Sequence, residues 1–265
     1  MGEKTDIQWT DSTWNPVWGC TKVSPGCQNC YAERIALSMN NRMHPMHGSM
    51  WRQGRDTAFK FRTVPNKLEE PLHWKTPRMV FVNSMSDLFH EDCPDGYIEQ
   101  VWEVMLKADW HVYQILTKRP QRMAAWVGSR NIPRHIWLGT SVELPMYLGR
   151  LDELRRTRAP VKFVSFEPLL GSVKGASLKD IQWVITGGES DYRNPRPADA
   201  NWFREIRDAS MGLGIPYFHK QNGGKTKCEC HGAWGCRLLD GKTYDDMPFK
   251  PTASSKEQTK ITEAV

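Results

Sequence analysis

The sequence predicts an α/β fold, a single parallel β/α barrel that is either partial or nearly complete. Short apolar runs rich in β-branched and aromatic residues alternate with longer helical stretches, which is typical of a parallel sheet. The chain has 265 residues, of which 39% are hydrophobic, enough for one barrel-sized domain with its own core. Polar residues follow the apolar runs at their carboxyl ends, where β/α barrels build their active sites.

Seven strands are predicted in chain order. The first lies near residues 14–19 and leads into a cysteine-rich segment, and the other six lie near 79–84, 112–117, 136–141, 161–166, 182–187 and 215–220. Helices are predicted at 31–43, 95–108, 146–157 and 199–212, with Asp95 and Asp199 as their starts and Gly212 as a stop. Residues 1–249 are expected to form the barrel domain, including an insertion at 222–237. Residues 250–265 are polar and predicted to be a disordered tail.

The positive charge of the chain is concentrated in one window. The net charge is +6, and residues 118–158 contain nine basic side chains against three acidic ones. Such a window suits a partner that carries phosphates, although a solvated helix face also explains the arginines between 150 and 158. We expect no membrane partner, because no apolar span or signal peptide is seen, and a reducing, cytoplasmic location. The seven cysteines leave one unpaired, which disfavours a disulfide framework.

Three cysteines near the start of the chain are the strongest functional signal. Cys20, Cys27 and Cys30 form a Cys-x6-Cys-x2-Cys run. Three thiolates on one loop can hold three irons of a [4Fe–4S] cluster and leave the fourth iron open for a substrate or cofactor. Zinc is the alternative, since Cys-x2-Cys also occurs in zinc knuckles, but zinc needs a fourth ligand and none is adjacent to Cys20. The spacing therefore favours a cluster.

The cysteine run resembles the cluster loop of the radical S-adenosylmethionine (SAM) superfamily. More closely, the chain resembles a phage- and prophage-associated three-Cys-motif family of radical-SAM-like proteins, and Cys30-Tyr31-Ala32 is distantly similar to spore photoproduct lyase. The resemblance extends through the segments Ile7–Pro16, Cys30–Glu33, Leu116–Pro120, Ser165–Leu169, Gly187–Ser190 and Arg237–Gly241. The chain departs from the commonest radical-SAM loop in its longer first gap and in Asn29, which occupies a position that is usually aromatic.

The resemblance implies a radical-SAM-like barrel that binds a [4Fe–4S] cluster and SAM. Such an enzyme, supplied with electrons by a reductant, cleaves SAM to a 5′-deoxyadenosyl radical that abstracts hydrogen from its substrate. The phage association, the basic window and the many aromatic residues favour a nucleic acid or modified nucleobase as substrate, in DNA modification or repair. The alternative is a non-enzymatic zinc or Fe–S protein that binds nucleic acid.

The same resemblance implies contacts to SAM by position. The candidates for its amino group are Asn83, Ser84, Ser86 and Asp87. The candidates for its ribose and carboxylate are Thr117, Lys118, Thr140, Ser141 and Glu143, and those for its adenine are Gly187 and Gly188. Other interpretations remain open, because Ser86 and Asp87 are also suited to capping a turn, and the two glycines to a simple loop bend. Residues 83–87 also lack the usual Gly-Gly-Glu signature.

Two charged residues at strand ends are candidate catalytic groups. Glu167 follows a predicted strand and precedes Pro168, which restricts the conformation of the glutamate and favours a role as substrate anchor or proton acceptor. An ion pair with a nearby arginine is the alternative. Lys118 is the second candidate, and together with Arg119 and Arg122 it is predicted to contact phosphates.

A second group of metal-ligand residues lies in the insertion. Cys228, Cys230, His231 and Cys236 fall within nine residues of a glycine-rich segment. Three thiolates and one imidazole are a typical zinc ligand set. A second Fe–S cluster, completed by His231 or Cys93, and free thiols are the alternatives. The sequence thus predicts a second, mainly structural metal site.

Overall fold

The structure is a computed structural model that describes residues 5–39, 58–191 and 193–251. Its centre is a seven-stranded parallel sheet whose strands lie in the order β1-β4-β5-β6-β7-β8-β9, whereas β2 and β3 form a separate two-stranded ribbon. The strands are β1 (Ser12–Trp14), β4 (Met79–Val82), β5 (Val112–Thr117), β6 (Ile136–Ser141), β7 (Lys162–Phe166), β8 (Trp183–Gly187) and β9 (Tyr217–Gln221). Almost all of their residues are buried, as expected for parallel strands covered on both faces. The predicted α/β fold with seven parallel strands is confirmed.

Five helices connect or follow the strands. They are α1 (Tyr31–Met39), α2 (Asp95–Lys107), α3 (Pro120–Val127), α4 (Gly149–Arg156) and α5 (Ala200–Gly212). The side chain of Asp199 accepts a hydrogen bond from the backbone N–H of Asn201 at 2.8 Å, so it caps α5 as predicted. The large apolar core includes residues of the sheet and of α2, α3, α4 and α5. No helix in the described part of the chain is long and apolar enough to cross a bilayer.

The sheet is curled, because side chains from distant strands meet on one face. Trp9, just before β1, contacts Phe81 of β4 and Trp183 of β8, with ring centroids 4.6 and 6.0 Å apart. Trp183 also contacts Trp137 of β6 at 5.6 Å. Within the described residues β1 and β9 stay unpaired edges of the sheet, so the barrel is a half-barrel. Phe249 packs against Trp137 at 5.0 Å, which ties the end of the described chain to this interior.

The prediction for the first strand, 14–19, is wrong in its bounds. The strand of the main sheet is Ser12–Trp14, and the next extended pair, β2 (Val17–Trp18), pairs instead with β3 (Arg62–Thr63) in a separate antiparallel ribbon. Pro16 separates β1 from β2 and lacks an N–H group for a strand ladder, which explains why one apolar run becomes two short strands.

Helix bounds also differ from the predictions. Helix α3 was not predicted, because its eight residues are too few to show a clear helical period of apolar residues. The predicted helix 146–157 is a 3₁₀ turn (Pro145–Tyr147) followed by α4. Residues 40–43 of the predicted first helix and residues 252–265 of the predicted tail lie outside the described residues.

Candidate functional site

One large cavity lies at the carboxyl ends of the strands. Its volume is about 840 Å³, within the range of small-molecule sites. Every strand of the main sheet delivers a residue to it at or just after its carboxyl end. These residues are Asn15, Ser84, Lys118, Ser141, Glu167, Gly188 and Gln221. The polar residues at the strand ends therefore line one cavity, as the sequence pattern predicts.

The cysteine loop, residues 19–30, lies at the mouth of this cavity, and Cys27 and Cys30 line it. The loop is anchored by a hydrogen bond from the backbone N–H of Gly19 to the carbonyl of Met85 at 3.1 Å. Gly19 has a φ of 78°, and a Cβ atom there would lie 2.3 Å from the carbonyl oxygen of Lys60, so only glycine fits. Helix α1 begins directly after Cys30.

Arg119 holds the start of the cysteine loop through hydrogen bonds. Its guanidinium donates hydrogen bonds to Cys20 Sγ at 3.5 Å and to Thr21 Oγ1 at 2.7 Å. The same group forms ion pairs with Asp87 at 3.1 Å and with Glu91 at 2.6 Å. The prediction that Arg119 contacts phosphates is therefore revised, because its donors are already committed to the loop and to two carboxylates.

Burial favours the neutral form of two of the loop thiols, those of Cys20 and Cys30. Burial raises the pKa of Cys20 to about 12, with the Asp87 carboxylate adding to the rise and Arg119 opposing it. Burial also raises the pKa of Cys30, which the Lys118 ammonium partly offsets. A metal or cluster that binds these cysteines must therefore displace their protons.

The other end of the cysteine loop is clamped to the end of β8. Asn29 Nδ2 donates to Glu189 Oε2 at 2.8 Å, and Glu189 in turn pairs with Arg196. From α1, Arg34 reaches Asp191 at 2.7 Å. Asn29, which stands at the usually aromatic position, thus serves to hold the loop. Glu189, which lines the cavity, is therefore an ion-pair partner of Arg196.

The predicted SAM contacts are only partly brought together. Ser84, Lys118, Ser141 and Gly188 line the cavity. The cavity lining does not include the remaining candidates, which are Asn83, Ser86, Asp87, Thr117, Thr140, Glu143 and Gly187. Most of these make hydrogen bonds inside the protein, which explains why they do not line the cavity. Their contact with SAM stays a prediction.

Asp87 is the centre of one such internal network. Its carboxylate accepts hydrogen bonds from Thr117 Oγ1 at 2.7 Å, from the backbone N–H of Lys118 at 3.2 Å and from that of Phe89 at 3.0 Å. The bond to Phe89 is the turn cap that the sequence left open as an alternative. Thr140 Oγ1 donates to the carbonyl of Thr117 at 2.9 Å, so both threonines are used to join β5, β6 and the turn after β4.

The other candidates have equally local roles. Ser86 Oγ donates to the carbonyl of Val17 at 2.9 Å, and Glu143 is fully buried in an ion pair with Arg150 at 2.9 Å. Asn83 has a left-handed φ of 66°, and its buried amide has no hydrogen-bond partner among the described residues. The second oxygen of Glu143 is likewise unpartnered there, close to Gly26 of the cysteine loop.

The two glycines at the end of β8 are required for packing within the protein. A Cβ atom at Gly187 would lie 2.4 Å from Glu167 Oε1, and one at Gly188 would lie 2.0 Å from the carbonyl oxygen of Asn222. Gly187 therefore leaves room for the Glu167 side chain, and Gly188 lets the segment after β9 cross. Gly188 lines the cavity and Gly187 does not, and the contact of either glycine with adenine stays a prediction.

Glu167 faces the cavity, as its predicted role requires. Ser165 Oγ donates to Glu167 Oε2 at 3.0 Å, and Lys220 Nζ lies 3.0 Å from Glu167 Oε1. The peptide bond between Glu167 and Pro168 is cis. The ion-pair partner is Lys220 rather than an arginine. Lys220 lies at the end of a predicted strand, and this place was the signal in the sequence by which it could have been found.

Ion pairs within the chain neutralise most of the basic window. Six of its nine cations pair with carboxylates, and they are Arg119, Arg122, Arg130, Arg150, Arg155 and Arg156. Arg122 also donates to the carbonyl of Cys93 at 2.6 Å. Of the three predicted phosphate contacts, Lys118 alone has an ammonium without a partner among the described residues, and it faces the cavity. The window is therefore no continuous cationic surface.

The second predicted metal site comes together in the C-terminal knuckle, residues 222–237. The ligand atoms of Cys228, Cys230, His231 and Cys236 all lie within 4.8 Å of one another. Cys236 Sγ is 3.6 Å from Cys230 Sγ and 3.4 Å from His231 Nδ1. Tetrahedral zinc, with bonds of about 2.0 to 2.3 Å, separates its ligands by a similar distance. This group can therefore hold a single metal ion.

The two cysteine sets differ in how closely their ligands gather. Among the described residues, the ligand atoms of the knuckle are close enough to one another to bind a single ion. The loop cysteines do not form such a group in the described part of the chain. Each loop cysteine is nevertheless free of a disulfide bond, and Cys27 acts electrostatically on both Cys20 and Cys30. The wider arrangement disfavours a single zinc ion at the loop.

Comparisons with known proteins give a family without an assigned activity. No curated protein and no solved structure matches the chain. One family model, described as a protein of unknown function (DUF5131), matches residues 4–248, which include the cysteine loop, every strand of the half-barrel and the knuckle. The chain therefore belongs to the DUF5131 family of proteins of unknown function.

Proposed function

We propose that the protein is a radical-SAM-like iron–sulfur enzyme that acts on a nucleic acid or nucleobase. One observation carries the proposal: two of the three loop cysteines open into the cavity to which all seven parallel strands deliver a residue. Cys20, Cys27 and Cys30 would hold a [4Fe–4S] cluster, and SAM would bind beside it. Together, after reduction, these groups supply a 5′-deoxyadenosyl radical.

The residues around the loop suit such a cluster. The three thiols are free, and each end of the loop is anchored, by Arg119 at one end and by Asn29 at the other. Lys118 and Arg119 place positive charge near thiols that become anionic when they bind metal. The Lys118 ammonium, without an acceptor among the described residues, is also suited to a carboxylate of a bound ligand.

The cavity also supplies groups that can handle a proton. Ser165 and Lys220 fix both oxygens of Glu167, so the carboxylate is oriented before a substrate binds. In this arrangement Glu167 accepts a hydrogen bond or a proton from a substrate, and Lys220 balances its charge. Ser84 and Ser141 add hydroxyl groups on the neighbouring walls.

The size of the cavity favours one nucleotide or base over a long stretch of duplex. About 840 Å³ is in the range of small-ligand sites, and the basic window beside it is mostly neutralised. Enzymes that modify a base in nucleic acid take that base out of the stack into a pocket. We propose the same mode here, with DNA modification or repair as the setting.

Anaerobic reconstitution tests this function. The parent protein, loaded with iron and sulfide and then given dithionite and SAM, should bind about four irons at the loop and release 5′-deoxyadenosine. Replacing Cys20, Cys27 and Cys30 by Ala should abolish both that iron and the product. Cys93→Ala is the matched control, because Cys93 is a buried cysteine that belongs to neither cysteine set, and it should leave both readouts unchanged.

Two outcomes would overturn the proposal. If the triple variant retains the full iron content of the parent, the loop does not hold the cluster. An iron-loaded parent that releases no 5′-deoxyadenosine would favour the non-enzymatic zinc or Fe–S nucleic-acid-binding protein instead.

A further inference from the structure

The C-terminal knuckle forms part of the cavity wall. Lys227, Gly232, Ala233 and Trp234 line the cavity together with the strand ends. A backbone hydrogen bond from Asn222 N–H to the carbonyl of Cys236 at 2.8 Å closes the knuckle, and one from Gly224 N–H to the carbonyl of Glu189 at 2.9 Å joins it to the segment after β8. A change in the shape of the knuckle would therefore change the cavity.

The knuckle has little apolar burial to hold its shape. Of its side chains only that of Ala233 is buried in the core, and most of the others are exposed. Several of its residues have left-handed backbone angles, among them Gly232, Gly235 and Cys236, at φ values of 62°, 65° and 73°. Segments with so small a core depend on a metal or cross-link for their structure. The Cys/His group at its centre supplies such a site.

The charges that face the cavity are unequal. Ion pairs neutralise Glu167 with Lys220, Arg34 with Asp191 and Glu189 with Arg196. Lys118 and Lys227 remain among the lining cations, against Asp6 as the remaining carboxylate. Lys118 follows β5 and Lys227 belongs to the knuckle, so two different walls offer a cation to one ligand. An anionic group such as a phosphate suits this arrangement.

We propose that a zinc ion in the C-terminal knuckle organises this wall of the cavity and that Lys227 binds the phosphate of a nucleotide ligand. This inference deepens the proposed function and rests on it for the class of ligand. The zinc has a structural role, because its four ligands are all supplied by the chain and leave no open position for chemistry. Its effect on ligand binding passes through the position of Lys227.

Calorimetric titration of thymidine 5′-monophosphate into the full-length zinc-loaded protein, without SAM or reductant, tests the inference. Lys227→Gln should weaken binding about tenfold, the loss expected for one charge-assisted contact. Lys225→Gln, an exposed neighbour that does not line the cavity, should bind as the parent does. Thymidine, which lacks the phosphate, should bind the parent and Lys227→Gln equally.

Zinc removal provides the second arm. A chelator should release about one zinc per chain, weaken nucleotide binding at least tenfold by displacing Lys227, and leave the helical circular dichroism of the barrel intact. Added zinc should restore binding. Equal affinities for Lys227→Gln and Lys225→Gln, unchanged binding after zinc removal, or no binding by the parent would each overturn the inference.

The two proposals fail separately. Zinc-dependent nucleotide binding without release of 5′-deoxyadenosine would contradict the radical chemistry and support the knuckle's role. If the protein releases 5′-deoxyadenosine but its nucleotide affinity does not depend on zinc, the radical chemistry would be supported and the knuckle's role contradicted.

Discussion

Arg119 shows how a residue that resembles a ligand contact in sequence becomes a structural one in the fold. Its side chain is about 9% exposed, and the Asp87 carboxylate with which it pairs is also buried. Taking two charges out of water costs several kcal/mol each, and the pairing repays this cost only when both partners are present. Because Arg119 also touches Cys20 and Thr21, the same ion pair fixes the start of the cysteine loop.

Removing this guanidinium should therefore destabilise the protein. We expect Arg119→Gln to lower the free energy of unfolding by about 3 kcal/mol, since it leaves Asp87 buried without its counter-ion. Urea unfolding monitored by fluorescence measures this change. Arg156→Gln is the control, because the Arg156 side chain is mostly exposed and pairs with Glu153, and such surface pairs contribute less than about 1 kcal/mol. Equal losses in the two variants would contradict the buried-pair argument.

At the scale of elements, the crossing between β8 and the segment after β9 determines the shape of the cavity floor. Gly188 packs directly on the backbone of Asn222, and Gly223 packs on the backbone of Glu189 and of Gly235. Backbone groups cannot move aside as a flexible side chain can, so any Cβ atom at this crossing must shift a whole segment. The crossing therefore joins the half-barrel to the C-terminal knuckle.

A single methyl group tests this crossing. Gly188→Ala should lower the free energy of unfolding by about 1 to 3 kcal/mol, the usual cost of overpacking, and reduce ligand affinity as the knuckle shifts. Gly149→Ala is the control. Gly149 lies in α4, and a Cβ atom there would meet no other atom within 4 Å. Alanine in a helix should raise stability by up to about 1 kcal/mol. If Gly188→Ala is as stable as the parent, the crossing is not tightly packed.

At the scale of the whole molecule, the sequence predicted the sheet because strand burial imposes a local signal. Six of the seven strands have bounds within two residues of their predictions, since each is a short apolar run that ends in polar residues. The predicted bounds of the first strand were wrong because Pro16 divides one apolar run between two sheets. The short helix α3 was not predicted because eight residues are too few to show a clear helical period of apolar residues.

The candidate site was predictable only where ligands are close in sequence. The four knuckle ligands lie within nine residues, so their convergence follows from spacing. Whether a strand-end side chain faces the cavity or a neighbouring turn depends on contacts between distant segments, such as Asp87 with Thr117 or Glu167 with Lys220. No local pattern encodes these pairings, so of the positional candidates for SAM contacts only Ser84, Lys118, Ser141 and Gly188 line the cavity.

Two buried histidines in separate parts of the core make the stability of the whole fold sensitive to acid. His111, before β5, accepts a hydrogen bond at Nδ1 from the N–H of Arg78 and donates from Nε2 to the carbonyl of Pro71. His219, in β9, bonds Thr186 through Nδ1 and the oxygen of Asn222 through Nε2. Burial lowers the pKa of each to about 4. Both imidazoles are therefore neutral in the folded protein.

Acidification should lower the stability of the folded protein, because both histidines have a lowered pKa there. Between pH 6.5, the ordinary histidine pKa, and pH 4 the unfolded chain binds protons at these sites that the folded chain does not. Stability is therefore fully present above about pH 7 and falls on acidification through this window, by up to about 3 kcal/mol for each histidine. His111→Gln, whose amide can both accept and donate, should reduce the slope of unfolding free energy against pH. Exposed His73→Gln should retain the slope of the parent, and equal slopes in all three proteins would contradict the assignment.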